Sequence, residues 1–451
     1  MTRTRASRVR MAVVTVVAMV AAMIAGASLT SSAAQASTSE GVVCETSSTN
    51  SFSLTATSGY ILTPDGNSIF MWGYAGASGL FQLPGPTLCV PEGATVTVTL
   101  KNLLREPVSV VFPGQTGVLA DGQPAQPLFD SGVPAKVTSL VKPAAASGGT
   151  VTYSFVASRP GTFLYESGTD VAKQVQMGLY GALIVRPTNG TGTVIDGQAY
   201  DDPASVFDTQ HEYLHLLSEI DPVVHLAVER NRAFDLSALR PRYFLINGRS
   251  MPDTIAPNNA AWLPSQPYGA MVHILPKPDG ATNFKPALIR YLNAGTGTYP
   301  FHPHGNDQRV IGQDGYALIA AGAADTSYDK FLIDIGPGQT VDSTLTWTNI
   351  EQWAPDTNPN DNVHPDIPVD LPPLQDQIVT PDSWFSESPY LGYVGDLPTN
   401  VTNNNQCGEY YHVAHSHALQ QATNYGATFG GMMTLIRIDP PQPSNCPAVT
   451  P

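Results

Sequence analysis

Residues 83–100 read LPGPTLCVPEGATVTVTL, and their second half alternates threonine with valine or leucine. A two-residue period puts alternate side chains on opposite faces of a strand, so Thr95–Leu100 predicts a strand with one buried face. The same alternation recurs at Thr150–Phe155, and Gly181–Val185 is a short apolar run. The chain also has 39 glycines and 39 prolines for turns, and only 13% of its residues are charged. These features predict an all-β protein built from β-sandwiches.

The 451 residues are enough for two domains. We predict a first sandwich over residues 37–195 and a second over residues 200–445. Residues 355–383 are rich in proline, aspartate and asparagine, and we expect them to form a long surface loop within the second sandwich. The segment Pro222–Leu239 is the one stretch with a helical pattern.

Residues 1–36 are predicted to be a secretory signal peptide. Four arginines in the first ten residues precede an apolar run, and Ala34-Gln-Ala36 offers small residues for cleavage. A single membrane anchor is the alternative, because the apolar run is nearly long enough to span a bilayer. No later segment has an apolar run of that length, so cleavage predicts a secreted protein, extracellular or in the cell envelope, with no membrane association.

The charge of the chain argues against nucleic acid as a partner. The formal net charge is −15, and removing the four arginines of the leader would leave 18 basic against 37 acidic residues. A nucleic-acid-binding surface needs a basic patch, which this balance does not favour.

The four cysteines indicate disulfide bonds. An even number of cysteines in a secreted protein favours pairing, and four cysteines allow three pairings. Cys44–Cys89 and Cys407–Cys446 are favoured because the members of each pair lie in the same part of the chain. As an alternative, Cys407 is a metal thiolate close to His415.

Two His-x-His pairs are the strongest indication of chemistry. His302 and His304 lie in YPFHPHG, and His415 and His417 lie in HSH. Residues two apart on a strand share a face, so four neutral imidazoles converge if the two strands lie side by side. Such a ligand set suits Cu(II), with Zn(II) and Ni(II) as alternatives. The competing interpretation is four imidazoles held by hydrogen bonds to backbone or water. His412 faces the opposite side of its strand and is not predicted to be a ligand.

The order of these segments resembles the multicopper oxidase family, whose members are built from cupredoxin β-sandwiches. Residues 83–98 and 178–185 resemble strands of the family's first domain, while Leu245-Ile-Asn-Gly248, the PFHPHG motif and Gly430-Gly-Met-Met433 follow in family order. The resemblance covers most of residues 80–440 and implies two cupredoxin-like Greek-key β-sandwich domains. It is closest to two-domain members, which take four histidines from each of two domains for a trinuclear copper cluster and assemble as homotrimers.

The first domain departs from the family pattern, because it lacks the histidines expected there. The two first-domain histidine motifs of the family correspond to residues 109–114 and 165–168. Val111, Pro113, Glu166 and Gly168 stand at the four histidine positions. Of these only Glu166 carries a potential metal ligand, and the alternative for Glu166 is an ordinary solvated or hydrogen-bonded carboxylate.

The blue-copper positions also depart from the pattern. Such a site needs a cysteine thiolate, two imidazoles and usually a weak axial thioether. Ser416 stands at the cysteine position, Tyr299 at the first histidine position, and Gln421 and Gly426 at the approximate positions of the second histidine and the methionine. We therefore predict no blue-copper absorption and no conventional four-electron reduction of oxygen.

Three functions stay open from the sequence. The first is a secreted copper-binding protein with a partial four-histidine site and no blue-copper centre. The second is a copper-dependent oxidoreductase that acts on a small-molecule substrate through one type-2-like copper. The third is a metal-free structural or interaction module with the cupredoxin fold. The sequence assigns no catalytic residue. Asn306 and Asp307 are expected to accept hydrogen bonds from the metal-binding imidazoles without binding the metal themselves.

Overall fold

The computed structural model describes residues 40–277, 281–305, 307–320, 324–348 and 410–439. All of these fall in one unit, Ser39–Pro451. The predicted signal peptide at 1–36, the predicted loop at 355–383 and the pair Cys407–Cys446 lie outside the described residues and stay predictions. Across the described ranges, no helix combines the length and the apolar character needed to cross a bilayer.

The described part of the first sandwich consists of strands numbered in chain order: β1 (Cys44–Glu45), β2 (Ser51–Leu62), β3 (Ser68–Ala75), β4 (Thr87–Pro91), β5 (Thr95–Asn102), β6 (Leu119–Ala120), β7 (Gln123–Pro124), β8 (Leu128–Phe129), β9 (Val137–Ser139), β10 (Thr150–Val156), β11 (Gly161–Glu166) and β12 (Tyr180–Arg186). One sheet has the order β1-β4-β12-β11, and the other has the order β3-β2-β5-β10-β6-β7. Strands β8 and β9 pair with each other.

The second sandwich continues the numbering: β13 (Glu212–Ile220), β14 (Tyr243–Ile246), β15 (Val272–Ile274), β16 (Pro276–Lys277), β17 (Ala287–Asn293), β18 (Tyr299–Pro303), β19 (Gln308–Gln313), β20 (Tyr316–Ala317), β21 (Ile319–Ala320), β22 (Ala324–Asp325), β23 (Tyr328–Lys330), β24 (Ile333–Ile335), β25 (Thr340–Leu345), β26 (Trp347–Thr348), β27 (Tyr410–Ser416), β28 (Thr423–Asn424), β29 (Ala427–Thr428) and β30 (Met433–Ile438). One sheet runs β14-β13-β17-β25-β19-β20, with β23 also beside β19, and the other runs β15-β30-β27-β18-β24.

Helices are few and short in the described ranges. They are α1 (Val171–Gln176) and α2 (Pro222–Glu229), with single 3₁₀ turns at Pro203–Ser205, Leu236–Ala238, Asp253–Ile255 and Leu419–Ala422.

The predicted helix Pro222–Leu239 is correct only in its first half. The Asp221 carboxylate accepts a hydrogen bond from the Val223 N–H and caps the helix, and Pro222 occupies its first turn. The helix ends at Glu229 because Asn231 takes a φ of 50°, which right-handed helical backbone cannot accommodate. The prediction is therefore wrong from residue 230 onward.

The alternating segments form the expected strands. In β5 the side chains of Val96, Val98 and Leu100 are fully buried, whereas Thr95 is exposed. Strand β13 behaves differently, because all nine of its residues are buried.

Each sandwich has its own apolar core, and a third apolar cluster contains residues of both, such as Leu164 and Leu216. Burial of each such leucine contributes roughly 1.5–3 kcal/mol to folding.

The predicted pairing of Cys44 with Cys89 is confirmed. The two cysteines are joined by a disulfide, with a Cα–Cα distance of 5.5 Å. The bond links β1 to β4, which are parallel neighbours in the same sheet.

The two sandwiches repeat one strand arrangement. In the first, β12 lies between β4, to which it is parallel, and β11, to which it is antiparallel. In the second, β30 lies in the same way between the parallel β15 and the antiparallel β27. On its other side β27 pairs with β18, while β11 forms a bridge between Glu166 and Val111. Strands β11 and β27 therefore hold equivalent places.

Candidate metal centre

Strands β18 and β27 bring the two predicted histidine pairs together. They run antiparallel, with His302 directly opposite His415. The His304 N–H donates to a carbonyl of β27 over 2.9 Å, and the His417 N–H donates to a carbonyl of β18 over 2.7 Å. These bonds fix the register, so both pairs lie at the same place in the sheet. We call this group the four-histidine cluster.

Ring positions show how closely the cluster is gathered. The His302 ring centroid lies 4.8 Å from that of His304, 5.3 Å from that of His417 and 6.0 Å from that of His415. The His415 centroid lies 5.0 Å from that of His304 and 5.5 Å from that of His417. Each ring therefore has at least two others of the cluster as neighbours.

Hydrogen bonds orient two of the rings. The Nδ1–H of His302 donates to the Phe331 carbonyl over 2.6 Å, and the Nδ1–H of His415 donates to the Ser416 carbonyl over 2.8 Å. A carbonyl only accepts, so in both rings Nε2 is left as the lone-pair nitrogen. The Nε2 atoms of His304 and His415 lie 2.9 Å apart and share one hydrogen. This backbone support is the arrangement that fixes the tautomer of metal-binding histidines.

One side of the four-histidine cluster is buried and the other is exposed to solvent. His415 is 6% exposed, while the His417 side chain is exposed and His302 and His304 are half-buried. Burial, followed by the fields of the other three imidazoles, lowers the pKa of His415 despite its bond to the Ser416 carbonyl. His415 is therefore neutral at neutral pH, which is the form in which imidazole binds a metal.

The four imidazoles suit a metal by their chemistry, but they are not already arranged around one point. Within the described residues, no group of three or more His, Cys, Asp or Glu side chains is already disposed around one point as a metal site. What the cluster offers is four nitrogen donors, two of them with Nδ1 committed to backbone. The Nε2 atoms of His304 and His415 now share a hydrogen, and both could instead donate their lone pairs to a cation. Imidazole donors suit copper and zinc.

Comparisons with known proteins find similarity to multicopper oxidases. The multicopper oxidase family matches residues 62–190. Laccase-25 of Oryza sativa subsp. japonica is 29% identical over 271 residues, which is 58% of this chain and 38% of that protein. L-ascorbate oxidase of Cucurbita maxima is 34% identical over 127 residues, 28% of this chain and 19% of that protein. The matches therefore span less than half the length of these relatives. The chain is a multicopper oxidase-like protein.

Solved structures agree on the fold. The blue copper oxidase from Nitrosomonas europaea has a TM-score of 0.55 at 18% identity, covering 86% of this chain and 85% of that one. The multicopper oxidase mgLAC has a TM-score of 0.53 at 20% identity, covering 88% and 87%. Together with the two mixed sheets in each half, these likenesses establish the predicted all-β fold of two cupredoxin-like domains. The domain limits 37–195 and 200–445 stay predictions.

Three of the four residues at the blue-copper positions of this multicopper oxidase-like chain are neighbours in space. The Ser416 hydroxyl donates to the Gln421 side-chain carbonyl, and the Gln421 amide donates to the Thr298 carbonyl over 3.2 Å. A Cβ added to Gly297 would lie 3.8 Å from both Gln421 Nε2 and Tyr299 Cε1. Tyr299 is fully buried. The fourth position, Gly426, lies in the exposed turn between β28 and β29.

The first domain has a counterpart of the His302–His415 pair. Val111 and Glu166 bridge the equivalent strands, with the Val111 N–H donating to the Glu166 carbonyl over 2.8 Å and the Glu166 N–H donating back over 3.2 Å. Topology alone thus assigns Val111 to the place of His302 and Glu166 to the place of His415. A Cβ on Gly168 would lie 2.6 Å from a Val111 methyl group, so apolar atoms fill this part of the site.

Glu166 is a partly buried carboxyl, and burial raises its pKa to about 7. A folded-state pKa above the ordinary value near 4.3 means that its contribution to stability is present below about pH 4 and is lost as pH rises through 7. We expect Glu166→Gln to raise the free energy of unfolding above pH 7, by on the order of 2 kcal/mol, with little effect at pH 4. Urea unfolding of both proteins at pH 4 and pH 8.5 measures this. A gain of equal size at both pH values would contradict it.

Four described histidines outside the cluster have structural partners. His211 pairs with Asp208, and the rings of His215 and His225 bond to backbone carbonyls. Burial lowers the pKa of both His215 and His225 to about 4. His273 contacts Glu40 at 2.6 Å and Asp439 at 3.0 Å. His364 lies outside the described residues.

The backbone carbonyls that orient the rings could not be found from the sequence. Phe331 lies just before β24, and its carbonyl reaches His302 because β24 is the neighbour of β18. A carbonyl is common to every residue, so no motif marks this one. Of the predicted supporting residues, Asp307 is exposed and Asn306 lies outside the described residues.

Proposed function

We propose that this protein is a secreted copper-binding member of the multicopper oxidase-like group, with one partial site at His302, His304, His415 and His417 and no blue-copper centre. The observation that carries the proposal is the four-histidine cluster, with five ring-to-ring distances of 4.8–6.0 Å. The family favours copper over zinc, and copper also stands above zinc in the affinity order of divalent metals.

The imidazoles of the four-histidine cluster would hold the ion. His302 and His415 present Nε2, because their Nδ1–H groups are committed to carbonyls. His304 and His417 lie beside them, His304 half-buried and His417 exposed to solvent. When bound, copper would supply a one-electron redox couple. Storage or sequestration requires nothing more than these ligands.

A copper-dependent oxidoreductase is the second candidate. The exposure of His417 favours it, because a small substrate could reach that side of the cluster. Complete reduction of oxygen by a trinuclear cluster is not proposed. Even in a homotrimer that set the first domain of one copy against the second domain of another, Val111, Pro113, Glu166 and Gly168 would contribute no imidazole.

Copper stoichiometry and EPR on the purified protein test the proposal. We expect one Cu(II) per chain with a type-2 spectrum. In His302→Ala/His415→Ala the affinity should fall by more than the roughly 100-fold that loss of an outer-shell partner can cost. His211→Gln is the matched control, since His211 bonds to Asp208 away from the cluster, and should bind normally.

Circular dichroism should show that all three proteins are folded. Absence of bound copper in the unmodified protein, or equal binding by the double variant, would reject the copper site and favour the metal-free module. Tighter binding of zinc than of copper would reject the assignment of the metal.

A further inference from the structure

A cavity of about 310 Å³ lies where the two sandwiches meet. From the first sandwich its wall includes Glu166, Gln176 and Tyr180, and from the second it includes Glu219 and Thr296. No lysine, arginine or histidine is among its lining residues in the described part of the chain. We call it the acidic cavity, because its charged groups are the two glutamates.

Within the described part of the chain, neither glutamate is paired with a positive charge. Burial raises the pKa of Glu166 to about 7, and burial is also the largest influence that raises the pKa of Glu219, against hydrogen bonds from Thr296. Lys173, on the neighbouring helix α1, is paired with Glu106 at 2.5 Å. Desolvated carboxylates without a partner are costly, so a cation entering the cavity would be stabilised by both.

Two buried oxygen atoms of the wall have no hydrogen-bond donor among the described residues. Glu219 is 5% exposed, and its Oε1 accepts from the Thr296 N–H and hydroxyl at 2.8 and 2.7 Å, but its Oε2 has no partner. Gln176 is also 5% exposed, and it donates through Nε2 to the Glu219 backbone carbonyl while its Oε1 has no partner. Both free atoms only accept, so the complementary ligand must donate hydrogen bonds.

Gly295 packs directly against the free carboxylate oxygen. A Cβ at this position would lie 2.0 Å from Glu219 Oε2 and 2.0 Å from the Tyr299 hydroxyl oxygen. The Tyr299 hydroxyl also has no partner among the described residues. Because both oxygen atoms lie 2.0 Å from the same point, the Tyr299 hydroxyl is close to the free carboxylate oxygen, and it can donate or accept a hydrogen bond there.

The rest of the wall is largely aliphatic, with Val171, Val175, Ala294 and Pro337 among its residues. A bare calcium ion prefers six to eight oxygen ligands and would leave the aliphatic part of this wall without a partner. An organic ammonium matches both parts, because its N–H groups donate to oxygen and its carbon chain packs on the aliphatic side chains. The volume lies at the lower end of the range of small-molecule sites.

We propose that the acidic cavity binds a small organic cation, a primary ammonium with a short aliphatic chain, through Glu219, Gln176 and Glu166. This site is separate from the four-histidine cluster and does not depend on copper there. It gives the chain a second ligand class beyond a metal ion.

Titration of the full copper-free protein with n-butylammonium chloride at pH 8, followed by saturation-transfer NMR and calorimetry, tests this site. Saturable binding is expected, with at least tenfold weaker binding in Glu219→Gln and in Glu166→Gln. Glu229→Gln is the matched control, because Glu229 lies outside this wall and bonds to Tyr60. The His302→Ala/His415→Ala variant should bind as the unmodified protein does, which excludes binding at the cluster.

Three outcomes would overturn the proposal. Equal binding of n-butanol would mean an apolar pocket that does not recognise charge. Binding of calcium chloride without binding of n-butylammonium would mean an inorganic cation site. Unchanged n-butylammonium affinity in the two glutamine variants, each shown to be folded by circular dichroism, would place any binding elsewhere.

Discussion

Replacement of Glu212 by glutamine is expected to lower the free energy of unfolding by about 3–5 kcal/mol. Glu212 is 8% exposed and lies at the start of β13. Its carboxylate accepts from both terminal nitrogens of Arg186 and from Nε of Arg290, all at 2.7 Å. Arg186 belongs to the first sandwich and Arg290 to the second. A glutamine would leave two guanidinium groups without their shared counter-charge, and the fully buried Arg290 would be affected most.

Further buried hydrogen bonds around Arg290 increase this loss of stability. Nη1 of Arg290 donates to the Thr162 hydroxyl at 2.9 Å and lies 3.4 Å from Asp342. The Thr162 and Tyr200 hydroxyls each donate to Asp342 at 2.6 Å. Thr162 comes from the first sandwich and Asp342 from the second, so the network joins the two halves through buried, hydrogen-bonded charges. Loss of one member therefore weakens contacts of the others.

The stabilisation that Glu212 provides should decrease as the pH falls. Burial raises its pKa, but the two arginines outweigh burial and hold the pKa at about 2. The folded-state pKa is thus below the unfolded value of about 4.3, so the stabilisation is present above pH 4.3 and is lost as pH falls toward 2. The difference between the protein and its Glu212→Gln variant should therefore shrink between pH 5 and pH 2.

Urea unfolding over this pH range measures both effects. Asp325→Asn is the matched control, because Asp325 pairs with Arg309 on the surface at 2.8 Å and exposed pairs contribute little. A Glu212→Gln variant as stable as the unmodified protein at pH 7, or a stability difference that does not change with pH, would show that the network does not hold the halves together.

Ser416→Cys alone is expected to give no blue-copper centre, whereas Ser416→Cys/Tyr299→His/Gln421→His is expected to create one. The three side chains lie together in the structure, with Ser416 bonded to Gln421 and both Gln421 and Tyr299 close to Gly297. A blue site needs two imidazoles beside the thiolate, and the single replacement supplies only the thiolate. The change should be from no intense visible absorption to the strong thiolate-to-copper band.

Visible absorption and EPR after copper loading follow the three replacements in steps. The intermediate Ser416→Cys/Gln421→His keeps the buried Tyr299 and serves as the control for folding. A blue band in the unmodified protein would contradict the proposal that this centre is missing. A blue band in Ser416→Cys alone would show that other ligands complete the site, and its absence in a folded triple variant would show that the positions do not converge on one ion.

Local patterns were sufficient for much of the fold. The alternation at Thr95–Leu100 and Thr150–Phe155 predicted two strands that the structure extends by two residues and one residue. The extent of helix α2 was not predictable in the same way. Its helical pattern continues past Glu229, and only the left-handed backbone at Asn231 ends it.

The sequence by itself determined the ligand types, their i, i+2 spacing on two strands, and the absence of cysteine and histidine at the other family positions. The tertiary structure decided that His302 faces His415, that the Phe331 carbonyl orients one ring, and that Glu212 joins arginines from two sandwiches. The physical reason is strand register. A shift of one residue would turn every side chain to the other face, and the register is set by pairing between segments about 110 residues apart in the chain rather than by either segment alone.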